Sequence, residues 1–454
     1  MRKWDACVEW LRANLARLHP DHTRIARAAL WLFVFTFIAK LAGAGREIAI
    51  AWRFGRGPEV DAYNLAIMLS LWLPLTIYSV MTVVLVPALV RLRSARKPQD
   101  LRFSREVTGA AVALGVFLSV ATWMLAPALA QAFAAELPRE TGQLAQGMLR
   151  SFAPLALLTL LIAAEASRLQ AAQDHRYALA EGFPPLAVGL FVVAWTSSDT
   201  LPLIVGTLAG FAWQTWWLAR HARDPSGGSR RMAFGLRAPH WSELWRGALA
   251  MGAGHFAMSF IQPIDQWFAA GVGTGAIATL GYTNRVIALG MALGATVISR
   301  ATLPVFAEGV ARGDAQLVRT HALSWAGWML LVGMVAAGVL WLLSPWLVAI
   351  LFERGAFSPA DTQAVAEALR WGVWQLPPYL AGLVLVSQLA SEGRYSVIGV
   401  IAFLNITVKG ACTSFFVDHL GLTGILLATV VMYSVAALSF WCAVVSGPRR
   451  NFRC

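Results

Sequence analysis

Apolar residues in this chain come in long blocks separated by short polar connectors. The blocks lie near 28–52, 62–90, 107–133, 147–167, 177–197, 200–219, 247–270, 277–306, 323–351, 366–389, 396–416 and 421–445. Each is close to the ~20 residues that a helix needs to cross a bilayer. The pattern predicts an all-α polytopic membrane protein with about twelve transmembrane helices. Its one long polar connector near the middle, RHARDPSGGSRRMAFGLRAPHWSELWR at 220–246, holds six arginines with Pro, Gly and Ser, and leaves six spans on either side. The two sides look duplicated. Pro87 in LVPAL answers Pro304 in TLPVF, and Gly55-x-Gly57 before Tyr63 answers Gly273-x-Gly275 before Tyr282. Ala126-Pro127 matches Ser344-Pro345, Leu149-Arg150 matches Leu369-Arg370, and the offsets stay between 217 and 220. An even number of spans per repeat makes the repeats parallel, related by an axis along the membrane normal. That organisation predicts two six-helix lobes around a central cavity, rocking to give alternating access. The expected divisions are an N-terminal segment 1–27, an N-lobe 28–219, the linker 220–246, a C-lobe 247–446 and a tail 447–454.

Charge adds orientation. The segments 1–28, 91–106, 168–176, 220–246, 308–320, 389–396 and 447–454 hold 26 of the 37 Lys and Arg residues, whereas the opposite loops hold only Arg53, Arg56, Arg139 and Arg354. The asymmetry predicts both termini in the cytoplasm. It accounts for the +13 net charge without nucleic-acid binding, because no basic soluble domain exists to carry that activity. Charged residues make up 13% of the chain against about 25% in soluble domains, which supports the membrane reading. Trp4, Val8, Leu11, Leu15 and Leu18 recur at helical spacing, which suits an amphipathic helix on the inner leaflet or else a frayed basic tail. The segment is not a signal peptide, and Cys7, Cys412, Cys442 and Cys454 show no paired spacing, so no disulfide is expected. No nucleotide-binding loop, metal-ligand spacing or nucleophile–base pair appears, and an enzyme is not expected.

Ionisable residues inside the spans point to function, because a charge at mid-bilayer costs roughly 2.5–3.5 kcal/mol on insertion scales. Lys40, Arg46 and Glu47 lie in the first span and Asp61 opens the second. Lys40 and Glu47 are seven residues apart and share a helix face, with Gly43 and Gly45 between them to bend the helix or admit a close neighbour. Arg285, in GYTNRVIALG, lies in the other repeat. These residues read either as an ion-paired packing cluster or as an anion site lining the cavity, and arginine suits bidentate binding of phosphate oxygens. A second constellation joins Asp265, beside Pro263, to Asn405 and Lys409, which are four residues apart on one face. It reads as structural or as a coupling-ion or proton site. Arg150 and Arg370 near span ends read as snorkelling cations, and His255 and Glu165 as lone hydrogen-bonded residues.

The run K-L-A-G-A-G-R-E-x6-F-G-R-G-x3-D-A-Y from Lys40 to Tyr63 resembles the start of the MurJ/MviN lipid flippases, members of the multidrug/oligosaccharidyl-lipid/polysaccharide exporter superfamily. Tyr282-x2-Arg285 with Leu303-Pro304, and the segment Leu351–Thr362, resemble two further family segments in the same order. The resemblance implies a flippase that moves an undecaprenyl-pyrophosphate-linked saccharide, usually lipid II, from the inner to the outer leaflet of the bacterial inner membrane. Lys40, Arg46 and Arg285 would then hold the pyrophosphate, with Asp61 and Glu47 orienting or releasing the cations. Membrane lipids and polysaccharide or peptidoglycan synthesis enzymes are the implied partners. No cofactor is implied, and sodium, protons or the membrane potential are the energy sources it allows. Three features depart from the family. The second span, LWLPLTIYSVMTVVLVP, lacks the family's Arg and Glu, and fourteen spans are common where twelve are counted here. Lys409 stands where some relatives have an acid that helps to bind sodium, so its ammonium is expected to replace a bound cation beside Asp265. A multidrug antiporter of the same superfamily and a non-transporting scaffold are the alternatives.

Overall fold

The computed structural model describes residues 20–95, 98–197, 199–222, 232–238, 240–311 and 315–446. Residues 1–19, which carry the expected N-terminal amphipathic pattern, residues 223–231 of the central linker and the C-terminal tail, with Cys7 and Cys454, lie outside the described residues. Those described are mostly helical and contain no strand. Before the linker run α1 (Pro20–Phe54), α2 (Pro58–Ala95), α3 (Pro98–Phe133), α4 (Arg139–Phe152), α5 (Leu155–Ala171), α6 (Arg176–Ala180), α7 (Phe183–Ala194) and α8 (Leu201–His221). After it run α9 (Trp241–Ser259), α10 (Ile261–Val272), α11 (Ala276–Ala311), α12 (Ala315–Phe352), α13 (Pro359–Gly372), a 3₁₀ turn (Val373–Gln375), α14 (Leu376–Ser391), α15 (Tyr395–Leu420) and α16 (Leu422–Val445).

Helix boundaries carry the duplication more fully than the sequence matches do. The ends of α1 and α10 are 218 residues apart, the starts of α2 and α11 also 218, the ends of α3 and α12 219, and the starts of α4 and α13 220. Breaks are duplicated as well. The α4–α5 pair bends by 44° at Ala153–Pro154, and the α13–α14 pair is interrupted by the 3₁₀ turn just before Pro377 and Pro378. Proline removes one ladder hydrogen bond and crowds the carbonyl four residues back. The same physics ends α9, because Pro263 crowds the carbonyl of Ser259, its last residue. Arg150 lies over the Trp123 ring at 5.6 Å, and its counterpart Arg370 lies over Trp341 at 5.4 Å, so each cation has an aromatic platform.

Joining helices across these short breaks leaves six rods before the linker and six after it. Seven helical segments, or eight with the bent pair, are long and apolar enough to cross a membrane among the described residues. The twelve blocks of the hydropathy pattern fall on these rods, and seven or eight of them meet that standard among the described residues. Within each half the rods pack closely, α2 on α4 and α5, α7 on α8, α12 on α14, and α15 on α16. The halves meet where α2 packs on α9, α10 and α11 and where α1 packs on α12. Burial separates inner from outer rods. Only 22% of the most apolar stretch within Gln316–Phe352 is buried, and its Trp325, Trp328, Val335, Leu342 and Trp346 face lipid. In the Pro359–Ser391 rod 72% of the most apolar stretch is buried, which makes it interior.

Candidate substrate site between the halves

Two loops bring the halves together at one end. After α1 the chain turns at Gly55, whose φ is +58°, and after α12 it turns at Gly355, whose φ is +63°. Each glycine meets the opposite half: a Cβ on Gly55 would lie 2.5 Å from the Ala356 carbonyl oxygen, and one on Gly355 would strike the Trp52 carbonyl. That approach lets the Ala356 N–H donate to the Trp52 carbonyl at 2.8 Å. Around it, Arg56 donates to Asp361 Oδ1 and to Thr279 Oγ1, both at 2.9 Å, and the Tyr282 hydroxyl donates to the Gly55 carbonyl at 2.8 Å.

Asp61 belongs to this latch. It is fully buried, and its two oxygens accept the backbone N–H groups of Gly275 (2.5 Å) and Ala278 (2.7 Å). Those amides open α11, where the first N–H groups lack helical partners and the helix dipole favours an anion. Asp61 therefore caps a helix of the opposite half, and the structure does not bring it into contact with the cations of α1 and α11.

Those cations meet deeper in the molecule, at Glu47. Arg46 Nε donates to Glu47 Oε1 at 2.8 Å, and Arg285 Nη1 pairs with Glu47 Oε2 at 2.6 Å. Arg285 also donates to Asn64 Oδ1 at 2.9 Å and lies over the Tyr282 ring. One carboxylate, 4% exposed, thus joins an arginine of each half, while the two guanidinium side chains remain about a quarter exposed. Two cations sharing one anion leave a net positive charge facing the space beside α1. That space is open at the next turn: neither Gly43 nor Gly45 has a heavy atom within 4 Å of where a Cβ would stand. The glycines admit no close neighbour there, and α1 runs through them unbroken. Lys40 lies farther along, about 9 Å from Arg46 by helical rise, exposed and within electrostatic reach of Glu181.

The second constellation closes within the C-terminal half. Lys409 is fully buried, and its Nζ lies 2.5 Å from Asp265 Oδ1, 2.8 Å from the Ile425 carbonyl and 2.6 Å from Thr429 Oγ1. Asn405 is buried beside it, one turn away on α15. Glu165 pairs with Arg168 at 2.7 Å on its own helix, and His255 is exposed. Arg56, Asn64, Thr279, Asp361 and Thr429 were not singled out from sequence. Asn64 carried a signal, as a lone amide in an apolar run. The Arg56–Asp361 pair spans 305 residues, and no local spacing announces it.

A duplicated bundle with charges gathered between its halves and a broad lipid-facing surface is a multi-pass membrane transporter. The profile of the family "Lipid II flippase MurJ" matches residues 50–447, and the chain belongs to that family. It is 26% identical over 427 residues to the "Probable lipid II flippase MurJ" of Synechocystis sp., across 89% of this chain and 79% of that one. The fold is that of a solved structure described as "Lipid II flippase MurJ, inward closed conformation", with TM-score 0.79, 18% identity and coverage of 92% and 88% of the two chains. It also resembles an "Inward-facing conformation of a multidrug resistance MATE family transporter of the MOP superfamily", with TM-score 0.74, 15% identity and coverage of 92% and 97%.

Proposed function

We propose that the chain translocates an undecaprenyl-pyrophosphate-linked saccharide, lipid II or a related envelope precursor, from the inner to the outer leaflet of the bacterial inner membrane. The observation that carries this reading is the Arg46–Glu47–Arg285 bridge, in which each half contributes one arginine to one anion. A pyrophosphate offers the same partners more oxygens and more charge than a carboxylate. Arg46 and Arg285 would exchange Glu47 for the cargo, and Lys40 would draw the headgroup toward them from its exposed position. Glu47 would take the arginines back when the cargo leaves, and Asp61 would govern the latch that the same movement must open. With both termini cytoplasmic, the latched end faces outward and the described state receives cargo from inside. The lobes 28–219 and 247–446 then rock about the site. The net positive charge of the site suits an anionic lipid headgroup better than the cationic drugs of a multidrug antiporter.

Each arginine–phosphate contact is worth about 1.5–3 kcal/mol, so one alanine substitution should slow translocation by roughly 10- to 100-fold. In proteoliposomes loaded with lipid II, Arg46→Ala and Arg285→Ala are expected to slow flipping by that factor, with Arg285→Lys recovering part of it. Unimpaired flipping by the double variant Arg46→Ala/Arg285→Ala would overturn the mechanism. Growth of cells depleted of their own lipid II flippase, sustained by this chain, tests the cargo itself.

A further inference from the structure

The surroundings of Lys409 have the make-up of an alkali-cation site. A carboxylate (Asp265), a main-chain carbonyl (Ile425) and a hydroxyl (Thr429) converge on one point from α10 and α16, at 2.5–2.8 Å. Two further oxygens, Asn405 Oδ1 and Thr413 Oγ1, are buried one turn to either side on α15 and have no hydrogen-bond partner. Hard cations are held by oxygen sets of this kind, in which carboxylate and carbonyl oxygens converge. The point of convergence is occupied by the Lys409 ammonium. A sodium ion there would stand against a fully buried like charge with the single carboxylate already committed, so the residues present do not fit the ion. A cavity of about 190 Å³ along α14, α15 and α16 reaches Asn405, one turn from Lys409.

We propose that Lys409 is a tethered cation, permanently occupying a site that would otherwise take a dissociable alkali-metal ion. Transport by this chain then proceeds without sodium coupling, and removal of the ammonium creates a sodium-binding site. The consequence for coupling rests on the transporter reading; the ion-binding claim stands independently of it.

The test is thermal unfolding of the purified full-length protein in detergent, with sodium chloride exchanged for choline chloride at constant ionic strength. The wild type is expected to unfold at the same temperature in both salts. Lys409→Ala is expected to unfold earlier in choline and to recover several degrees, saturably, with sodium. Lys409→Ala/Asp265→Asn should lose that recovery, since the site's only formal charge is gone. Saturable stabilisation of the wild type by sodium would overturn the proposal, as would a folded Lys409→Ala that sodium stabilises no more than the wild type. Should Lys409→Ala not fold, the wild-type comparison still decides, and sodium-stimulated flipping by the wild type counts against the proposal. Loss of lipid II flipping in every salt with sodium-indifferent unfolding would sink the flippase reading while leaving this one intact.

Discussion

Glu47 and Asp265 are 218 residues apart, the same offset that separates the ends of α1 and α10, so they occupy equivalent places in the two repeats. Both are buried acids paired with cations, yet their partners differ in kind. Asp265 pairs with Lys409 of its own half, in an environment completed by Ile425 and Thr429. Glu47 pairs with Arg46 on its own helix and with Arg285 across the interface, and both arginines stay partly open. On the proposed rocking of the halves, a pair confined to one packed half would keep its partners. A pair divided between halves would not. Duplication supplied a buried acid at the same place twice, Glu47 in one repeat and Asp265 in the other, and partner location separates a pair closed within one half from a pair divided between halves.

The largest effect should come from breaking the confined pair. Lys409→Met leaves Asp265 buried without its counter-ion and is expected to cost about 3–5 kcal/mol. Adding Asp265→Asn should return most of that loss, and a double-mutant cycle on urea or thermal unfolding measures the coupling. The corresponding change in the divided pair, Glu47→Gln, should cost only about 1 kcal/mol in stability, because the guanidinium groups are partly solvated. Its effect is expected in translocation instead. If the two losses proved equal, the distinction between confined and divided pairs would fail.

Next in size is Asp61→Ala, which strips two N-terminal amides of α11 of their acceptor. The expected loss is about 1–2 kcal/mol, with a shift toward opening at the latched end. Cysteines placed on the Gly55 and Gly355 loops should cross-link less readily in this variant. Cross-linking at wild-type yield would show that Asp61 does not hold the latch. The smallest effect should be that of Arg56→Ala. Its ion pair with Asp361 is partly exposed and worth about 0.2–1 kcal/mol, less at high salt. A salt-independent change in cross-linking would contradict that assignment.

Helices, their duplication and the charges worth attention were legible in the chain because they rest on local chemistry. Apolar block length sets the number of rods, proline sets their breaks, and a charge inside an apolar block is costly wherever it points. The Lys409–Asp265 contact lay partly within reach, since a buried ammonium must have an acid and Asp265 was at hand. The assignment of Asp61 was not. Its sequence neighbourhood places it beside the α1 charges, and only the approach of α11 from the other half offers it free amides. Arg56 with Asp361, and Asn64 with Arg285, were likewise beyond reach, because pairs separated by 305 and 221 residues leave no periodicity.

The amino-acid sequence alone determined that this protein is a duplicated helical membrane protein with cations in the membrane, since bilayer thickness and desolvation act on each segment separately. Tertiary structure decided which acid serves which cation. Asp61 became a helix cap, Glu47 a bridge between halves and Asp265 a partner for a tethered ammonium. Coulomb interactions and hydrogen bonds act over a few ångströms of space, and the distance along the chain says nothing about which groups will share them.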